Sequence, residues 1–153
     1  GVIGAAGDIS YNEDSKRVLT LSQNTLTIVD TTSQYAEPVV VDLTAELAAV
    51  KAQYAKNDVM AKVTVGSVAN DEKYVYVSYK VEGATDIALT VYDYNGNKVN
   101  TAYFAAAIDE MPTKDKTYQV SSVFMQDGKL MALVTNTVNG TGYIFAIKSP
   151  AAI

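Results

Sequence analysis

The sequence contains no cysteine, no histidine and no tryptophan. Without cysteine there is no disulfide, thiolate nucleophile, iron–sulfur cluster or thiolate zinc site. Without histidine there is no Ser-His-Asp triad, no imidazole metal ligand and no side chain whose ordinary pKa lies near neutrality. These absences exclude most familiar hydrolase and oxidoreductase mechanisms, and we expect no enzyme. Chemistry based on carboxylates, lysine or tyrosine stays compatible with the composition, as does a hard-cation site of oxygen ligands.

Basic charge is also scarce. Lys and Arg number 12 against 17 Asp and Glu, Arg17 is the single arginine, and the net charge is −5. Phosphate backbones select clustered Lys and Arg, so we expect no nucleic-acid partner. No apolar run approaches the roughly 20 residues that span a bilayer, which predicts no membrane span. The lack of cysteine is compatible with a secreted or cell-surface protein, which is the favoured location, although a cytosolic protein of this size could also lack cysteine.

Tyr, Val and Thr are abundant, in short alternating runs bounded by Asn, Asp, Gly and Ser. This pattern is typical of β-strands joined by tight turns, so the chain is predicted to be mainly β. Its 153 residues suit one domain with a real core. A short motif of an acidic residue, a variable residue and a lysine directly precedes an apolar strand three times. The copies begin 57 and 56 residues apart, at Asp14-Ser15-Lys16, Asp71-Glu72-Lys73 and Asp127-Gly128-Lys129.

Regular spacing of this kind predicts repeated supersecondary units within the single domain 1–153. Each unit is a meander of four strands, the third lacking its last strand. The predicted divisions are repeat 1 at about 1–43, a helix and linker at 44–61, repeat 2 at about 62–104, a linker at 105–118 and repeat 3 at about 119–153. The predicted strands are 8–11, 17–21, 25–30, 38–43, 63–68, 74–81, 87–94, 98–104, 119–124, 130–137 and 143–147.

One short helix is predicted near 44–56. Leu43, Leu47, Val50 and Tyr54 fall at i, i+4, i+7 and i+11, which is one stripe of an amphipathic helix. Asp42 or Thr44 would cap its N-terminus.

The residues 14–21 and 25–31 resemble a blade of the YVTN/WD40-like β-propeller repeat superfamily, in which an Asp-Gly-Lys hairpin enters a strand and the next strand ends in an acid. Residues 71–77 with 91–93 repeat the pattern. Residues 127–129 with 143–147 repeat it too, except that Lys148 stands where the acid belongs. The resemblance implies propeller-like packing of the three units. The alternative fold is a β-sandwich.

A propeller closes with at least ~4 blades, whereas three are counted here. Either the chain is a fragment of a longer propeller, or two copies associate head to tail in a six-bladed ring. In either case Val2 and Ile3 would supply the missing edge strand of the third blade, in the same or another copy.

Asp93, Asn95 and Asn97 alternate like the first ligands of a calcium loop. Position 12 of that loop would be Phe104 instead of Glu, so an ordinary Asn-Gly hairpin turn is the preferred interpretation. The repeated aspartates Asp14, Asp71 and Asp127 would form a carboxylate ring if equivalent, but turn chemistry is the preferred explanation, because Asp is a favoured turn residue. Calcium is therefore the cofactor alternative, and the main expectation is none.

The tyrosines form the other candidate surface. Tyr74 and Tyr76 alternate on one strand and Tyr92 and Tyr94 on its neighbour, which predicts aromatic cross-strand pairs that would either stack on a ligand or subunit, or pack half-buried with their hydroxyls reaching solvent. We expect a non-catalytic structural or protein-interaction module, with a protein partner or a second copy bound. The alternatives are a calcium-binding, ligand-binding or enzymatic propeller face, and a filament subunit that exchanges strands.

Overall fold

The computed structural model describes residues 8–55, 63–81, 87–104, 118–136 and 138–147. In these ranges the chain forms eleven strands and one helix. In chain order the elements are β1 (Asp8–Asn12), β2 (Arg17–Ser22), β3 (Thr25–Asp30), β4 (Val39–Asp42), α1 (Thr44–Ala55), β5 (Val63–Asn70), β6 (Val75–Val81), β7 (Ile87–Tyr92), β8 (Lys98–Phe104), β9 (Tyr118–Gln126), β10 (Lys129–Asn136) and β11 (Gly142–Ala146).

The strands form three separate antiparallel sheets, each a simple meander. Sheet I has the order β1-β2-β3-β4, sheet II the order β5-β6-β7-β8, and sheet III the order β9-β10-β11. Every pairing joins strands that follow each other in the sequence. The prediction of a mainly β chain with three meander units and one short helix is confirmed, and the described part of the third unit has three strands, as expected.

The helix α1 follows directly on sheet I. Its first turn is fixed by Asp42, whose carboxylate accepts hydrogen bonds from the N–H of Thr44 at 2.9 Å and from its hydroxyl at 2.7 Å. Leu43, Leu47 and Val50 of the predicted stripe are buried and join the core between sheets I and II, while the side chain of Tyr54 lies outside the described part of the structure.

Sheet II lies between the other two sheets. One face of β6, carrying Val75, Val77 and Tyr79, packs on Leu19 and Ile28 of sheet I. The opposite face of sheet II carries a second set of buried side chains that pack on sheet III, namely Ala69, Tyr76, Leu89 and Val91 against Val123, Leu130, Ala132 and Val134. The described residues therefore form two hydrophobic cores, one at each junction between neighbouring sheets.

Candidate functional site: the junctions between sheets and the two outer faces

The first strands of the three sheets come together in the centre of the molecule. Strand β1 lies against β5, and β5 lies against β9. Each of these inner strands pairs within its sheet on one side only, so its other edge faces the centre. A cavity of about 530 Å³ lies among them. The three sheets are thus arranged with their first strands at the centre.

Asn70 connects sheets I and II through a buried polar network. Its side chain is 1% exposed. Its amide Nδ2 donates to the carbonyl oxygen of Arg17 and to the hydroxyl of Tyr94, both at 3.2 Å, while its Oδ1 accepts from the Ser10 hydroxyl at 2.7 Å. Three of the four hydrogen bonds that an asparagine side chain can form are therefore made.

Asp71, next along the chain, organises the neighbouring turn. Its Oδ1 accepts from the N–H groups of Lys73 and Tyr74 at 2.8 and 2.7 Å, and its Oδ2 accepts from the Tyr76 hydroxyl at 2.5 Å. The Tyr94 hydroxyl donates to the Asp71 carbonyl oxygen, and the Arg17 guanidinium lies 5.5 Å from the centre of the Tyr94 ring. Burial, with the Asp71 carboxylate beside it, raises the pKa of Tyr76.

Ser67 is the corresponding polar residue between sheets II and III. The register of β5 and β6 shifts between Val65 and Val68, so that Gly66 and Ser67 lie opposite the single residue Ser78 in a β-bulge. The Ser67 and Ser78 hydroxyls are 2.7 Å apart. A Cβ atom on Gly66 would lie 3.0 Å from the Ser78 Oγ and 3.2 Å from the Ser78 carbonyl oxygen, so a side chain at this position would crowd the bulge.

One kind of hydrogen bond recurs at both junctions. The carboxylate Oδ2 of Asp8 in β1 accepts from the N–H of Val68 in β5 at 2.9 Å. The Oγ of Ser67 in β5 accepts from the N–H of Val123 in β9 at 2.8 Å. Each inner strand thus satisfies an edge N–H of the next inner strand, which no strand ladder would otherwise satisfy.

The outer faces of sheets I and III have no neighbouring sheet among the described residues. We define the outer face of sheet I by Ile9, Tyr11, Val18, Thr20 and Val40, which alternate with the core residues of the same strands. Ile9, Tyr11 and Val40 are 59%, 53% and 64% exposed. We define the outer face of sheet III by Ser122, Phe124, Met131, Leu133 and Ile144, which share one side by register. None of these ten side chains is charged, but the same faces each carry a charged residue at their margin, Asp42 at the end of β4 and Lys129 at the start of β10.

The calcium candidates lie in the turn between β7 and β8. The Asp93 Oδ1 accepts from the N–H groups of Asn95 and Asn97, both at 2.9 Å, and these bonds lower the pKa of Asp93. Gly96, with φ +85°, closes the turn. Among the described residues no three acidic side chains lie close enough to hold a metal together. The carboxylate of Asp93 is engaged by its own turn, as the hairpin interpretation expects.

The three repeated aspartates are not structurally equivalent, so the alternative of a carboxylate ring, which the sequence already disfavoured relative to turn chemistry, has no support in the structure. Asp14 lies inside the four-residue turn between Asn12 and Arg17, and Asp71 bonds backbone to backbone with Tyr74 at the end of the hairpin. Asp127, with φ +51°, forms a two-residue turn with Gly128, so Lys129 is already in β10. The sequence motif therefore shifts in register from one sheet to the next.

The predicted aromatic cross-strand pairs are also wrong. The residue opposite Tyr76 is Val91, and the residue opposite Tyr92 is Val75, so Tyr76 and Tyr92 lie on opposite faces of sheet II. They are 2% and 3% exposed. Among these tyrosines an aromatic contact does form between Tyr74 and Tyr76, two residues apart at the start of β6, with ring centres 6.5 Å apart. Tyr76 and Tyr92 are packing residues of the two junctions, not a stacking surface.

Val2 and Ile3, predicted to complete the third sheet, lie outside the described residues. No helix in the described ranges has the length and apolar character needed to cross a membrane. No protein-family model matches the sequence, and the search of curated proteins found no match.

Three residues that hold the junctions together were not singled out from the sequence: Asp8, Ser67 and Asn70. Asn70 and its hydrogen-bond partners Ser10 and Arg17 are more than 50 residues apart in the chain, so no local pattern connects them. Ser67 carried a usable signal, because an isolated glycine before it, inside a strand pattern, is typical of a β-bulge.

Proposed function

We propose that this chain is a non-catalytic, propeller-like structural module that acts in protein association and completes itself by binding a further copy. The observation that carries the proposal is the centre of the outer face at each end of the stack, which is uncharged and largely apolar, with a charged residue at the margin of each face, Asp42 and Lys129. A sheet face that is exposed to solvent ordinarily carries polar and charged residues. Contiguous exposed apolar patches mark interaction surfaces.

The internal junctions support the same proposal. Sheet II buries both faces, whereas sheets I and III bury one each. Val18 in β2 and Leu133 in β10 lie on the outer faces. Their chain neighbours Leu19 and Val134 are fully buried at a junction. A further sheet on either outer face would extend the packing that the molecule already uses twice.

Solution mass tests the proposal directly. Light scattering behind size exclusion, over a hundredfold range of concentration, is expected to give a species of twice the 16.4 kDa chain mass. Thr20→Lys puts a charge in the centre of the outer face of sheet I and is expected to yield monomer, because burying an unpaired charge is costly. Gln34→Lys, in an exposed loop, is the matched control and should leave the mass unchanged. A compact monomer at every concentration would overturn the proposal.

A second candidate is a filament subunit that exchanges strands. In the described residues β11 pairs only with β10, whereas the third strands of sheets I and II also pair with a fourth. An open strand edge is a template for a strand from another chain. A ladder of masses that grows with concentration, instead of one small species, would favour the filament.

A further inference from the structure

The hydrogen bond that joins the inner strands follows a repeat of its own. At the first junction the acceptor is Asp8 and the donor N–H is that of Val68; at the second the acceptor is Ser67 and the donor that of Val123. Acceptor and donor positions are adjacent in β5, where Ser67 accepts and Val68 donates. Each inner strand therefore has one position that accepts a hydrogen bond from the next sheet and, directly after it, one whose N–H donates to the preceding sheet.

Strand register identifies these positions in all three sheets. Ile9 lies opposite Thr20, Val68 opposite Val77, and Val123 opposite Ala132. Ile9 and Val123 lie three residues before the last paired residues of their strands, Asn12 and Gln126. Val68 lies three residues before Asp71, which directly follows β5 and bonds to Tyr74 across the hairpin. The equivalent acceptor and donor pairs are Asp8 with Ile9, Ser67 with Val68, and Ser122 with Val123.

Two positions of this repeat lie on the outer faces. Ser122 is the acceptor position of sheet III, and it shares the outer face with Leu133, its partner in the register. Ile9 is the donor position of sheet I, and its N–H belongs to the only strand edge of sheet I that faces the centre. Together they are the two halves of one more junction, divided between the two ends of the molecule.

We propose that a second copy of this chain supplies the missing halves. The outer face of sheet III of one copy packs on the outer face of sheet I of the other, and the Ser122 hydroxyl accepts a hydrogen bond from the Ile9 N–H of the second copy. The two copies form this junction twice and close a ring of six sheets, within the four to eight blades usual for propellers. This inference rests on the proposed self-association and adds the identity and orientation of the contact.

The contact is heterologous, and this gives a sharp cross-linking test. Because the chain has no cysteine, Thr20→Cys and Leu133→Cys each introduce a single thiol in the central strand of one outer face. The two variants are refolded separately or as an equal mixture, then treated with a short bis-maleimide. The mixture is expected to give a cross-linked product of two chains, whereas either variant alone stays uncross-linked, since like faces do not meet. Gln34→Cys mixed with Leu133→Cys is the control.

The hydrogen bond has its own test. Ser122→Ala is expected to weaken the two-copy complex roughly 4- to 140-fold, because a net hydrogen bond contributes a factor of about 2 to 12 and the ring contains it twice. Ser122→Asp keeps an acceptor, as Asp8 does at the first junction, and should restore association. Far-UV circular dichroism of the Ser122→Ala monomer checks that the fold is intact. Unchanged association of folded Ser122→Ala would refute the hydrogen bond.

The outcomes separate this inference from the proposed function. A complex of two copies whose cross-linking is no greater in the mixture than in the single variants would overturn the head-to-tail contact while leaving self-association standing. A light-scattering mass above that of two chains would overturn closure into a two-copy ring. A monomer at all concentrations would overturn both proposals together.

Discussion

Replacing Asn70 by alanine tests whether the polar network between sheets I and II stabilises the fold. The substitution removes two donated bonds, to Arg17 and Tyr94, and one accepted bond, from Ser10. At about 0.5–1.5 kcal/mol of net stability for each bond, the sum is about 1.5–4.5 kcal/mol. The Ser10 side chain is partly exposed and recovers a hydrogen bond to water, which reduces this sum. The vacated volume adds to the cost. We therefore expect the free energy of unfolding to fall by about 2–4 kcal/mol.

The assay is urea unfolding followed by far-UV circular dichroism at one fixed protein concentration, because self-association would otherwise add to the apparent stability. Gln34→Ala, at an exposed loop position, is the control and should change the free energy of unfolding by less than about 0.5 kcal/mol. A cycle with Ser10→Ala should show a coupling of about 0.5–1.5 kcal/mol. A loss below about 1 kcal/mol on Asn70→Ala, or strictly additive single effects, would refute the reasoning.

Two further predictions concern the bulge and the buried tyrosines. Gly66→Ala should lower the free energy of unfolding by about 1–3 kcal/mol in the same urea assay. Gly142→Ala is the control, because its Cβ would meet nothing nearer than 3.5 Å, and it should cost under about 0.5 kcal/mol. Equal effects of the two substitutions would contradict the packing argument. Burial raises the pKa of four tyrosines above the ordinary value of 10.0, namely Tyr76, Tyr79, Tyr92 and Tyr94. These tyrosines ionise at lower pH in the unfolded chain than in the folded one, so the free energy of unfolding should fall as pH rises above 10. An absorbance titration should show the four ionising only as the circular dichroism signal of the fold is lost. Reversible ionisation of all eleven tyrosines in the folded state would contradict this.

The strands were predictable because their signals are local. Alternating Val, Thr and Tyr between turn residues defined all eleven, and the bounds of β3 and β8 agree with the prediction at both ends. The helix was predictable for the same reason, since its apolar spacing and the Asp42 cap lie within one segment.

Register was harder to predict, because a shift of one residue exchanges the two faces of a strand. The four-residue turn before Arg17 and the two-residue turn before Lys129 begin from similar sequence motifs, but they place those motifs differently. The same uncertainty placed Tyr76 and Tyr92 on one face, where the structure has them on two. The junction residues were beyond prediction, since Asp8 and Val68 meet across 60 positions of sequence.

The central place of sheet II gives the molecule a gradient of protection. Strands β6 and β7 are covered on both faces, and their sequences carry almost continuous buried side chains, including Val75, Val77, Leu89 and Val91. Opening that starts at either outer sheet leaves sheet II covered from the other side. The backbone amides of β6 and β7 are then the last to reach water, so this middle meander, and not either end of the chain, sets the slowest step by which the whole molecule comes apart.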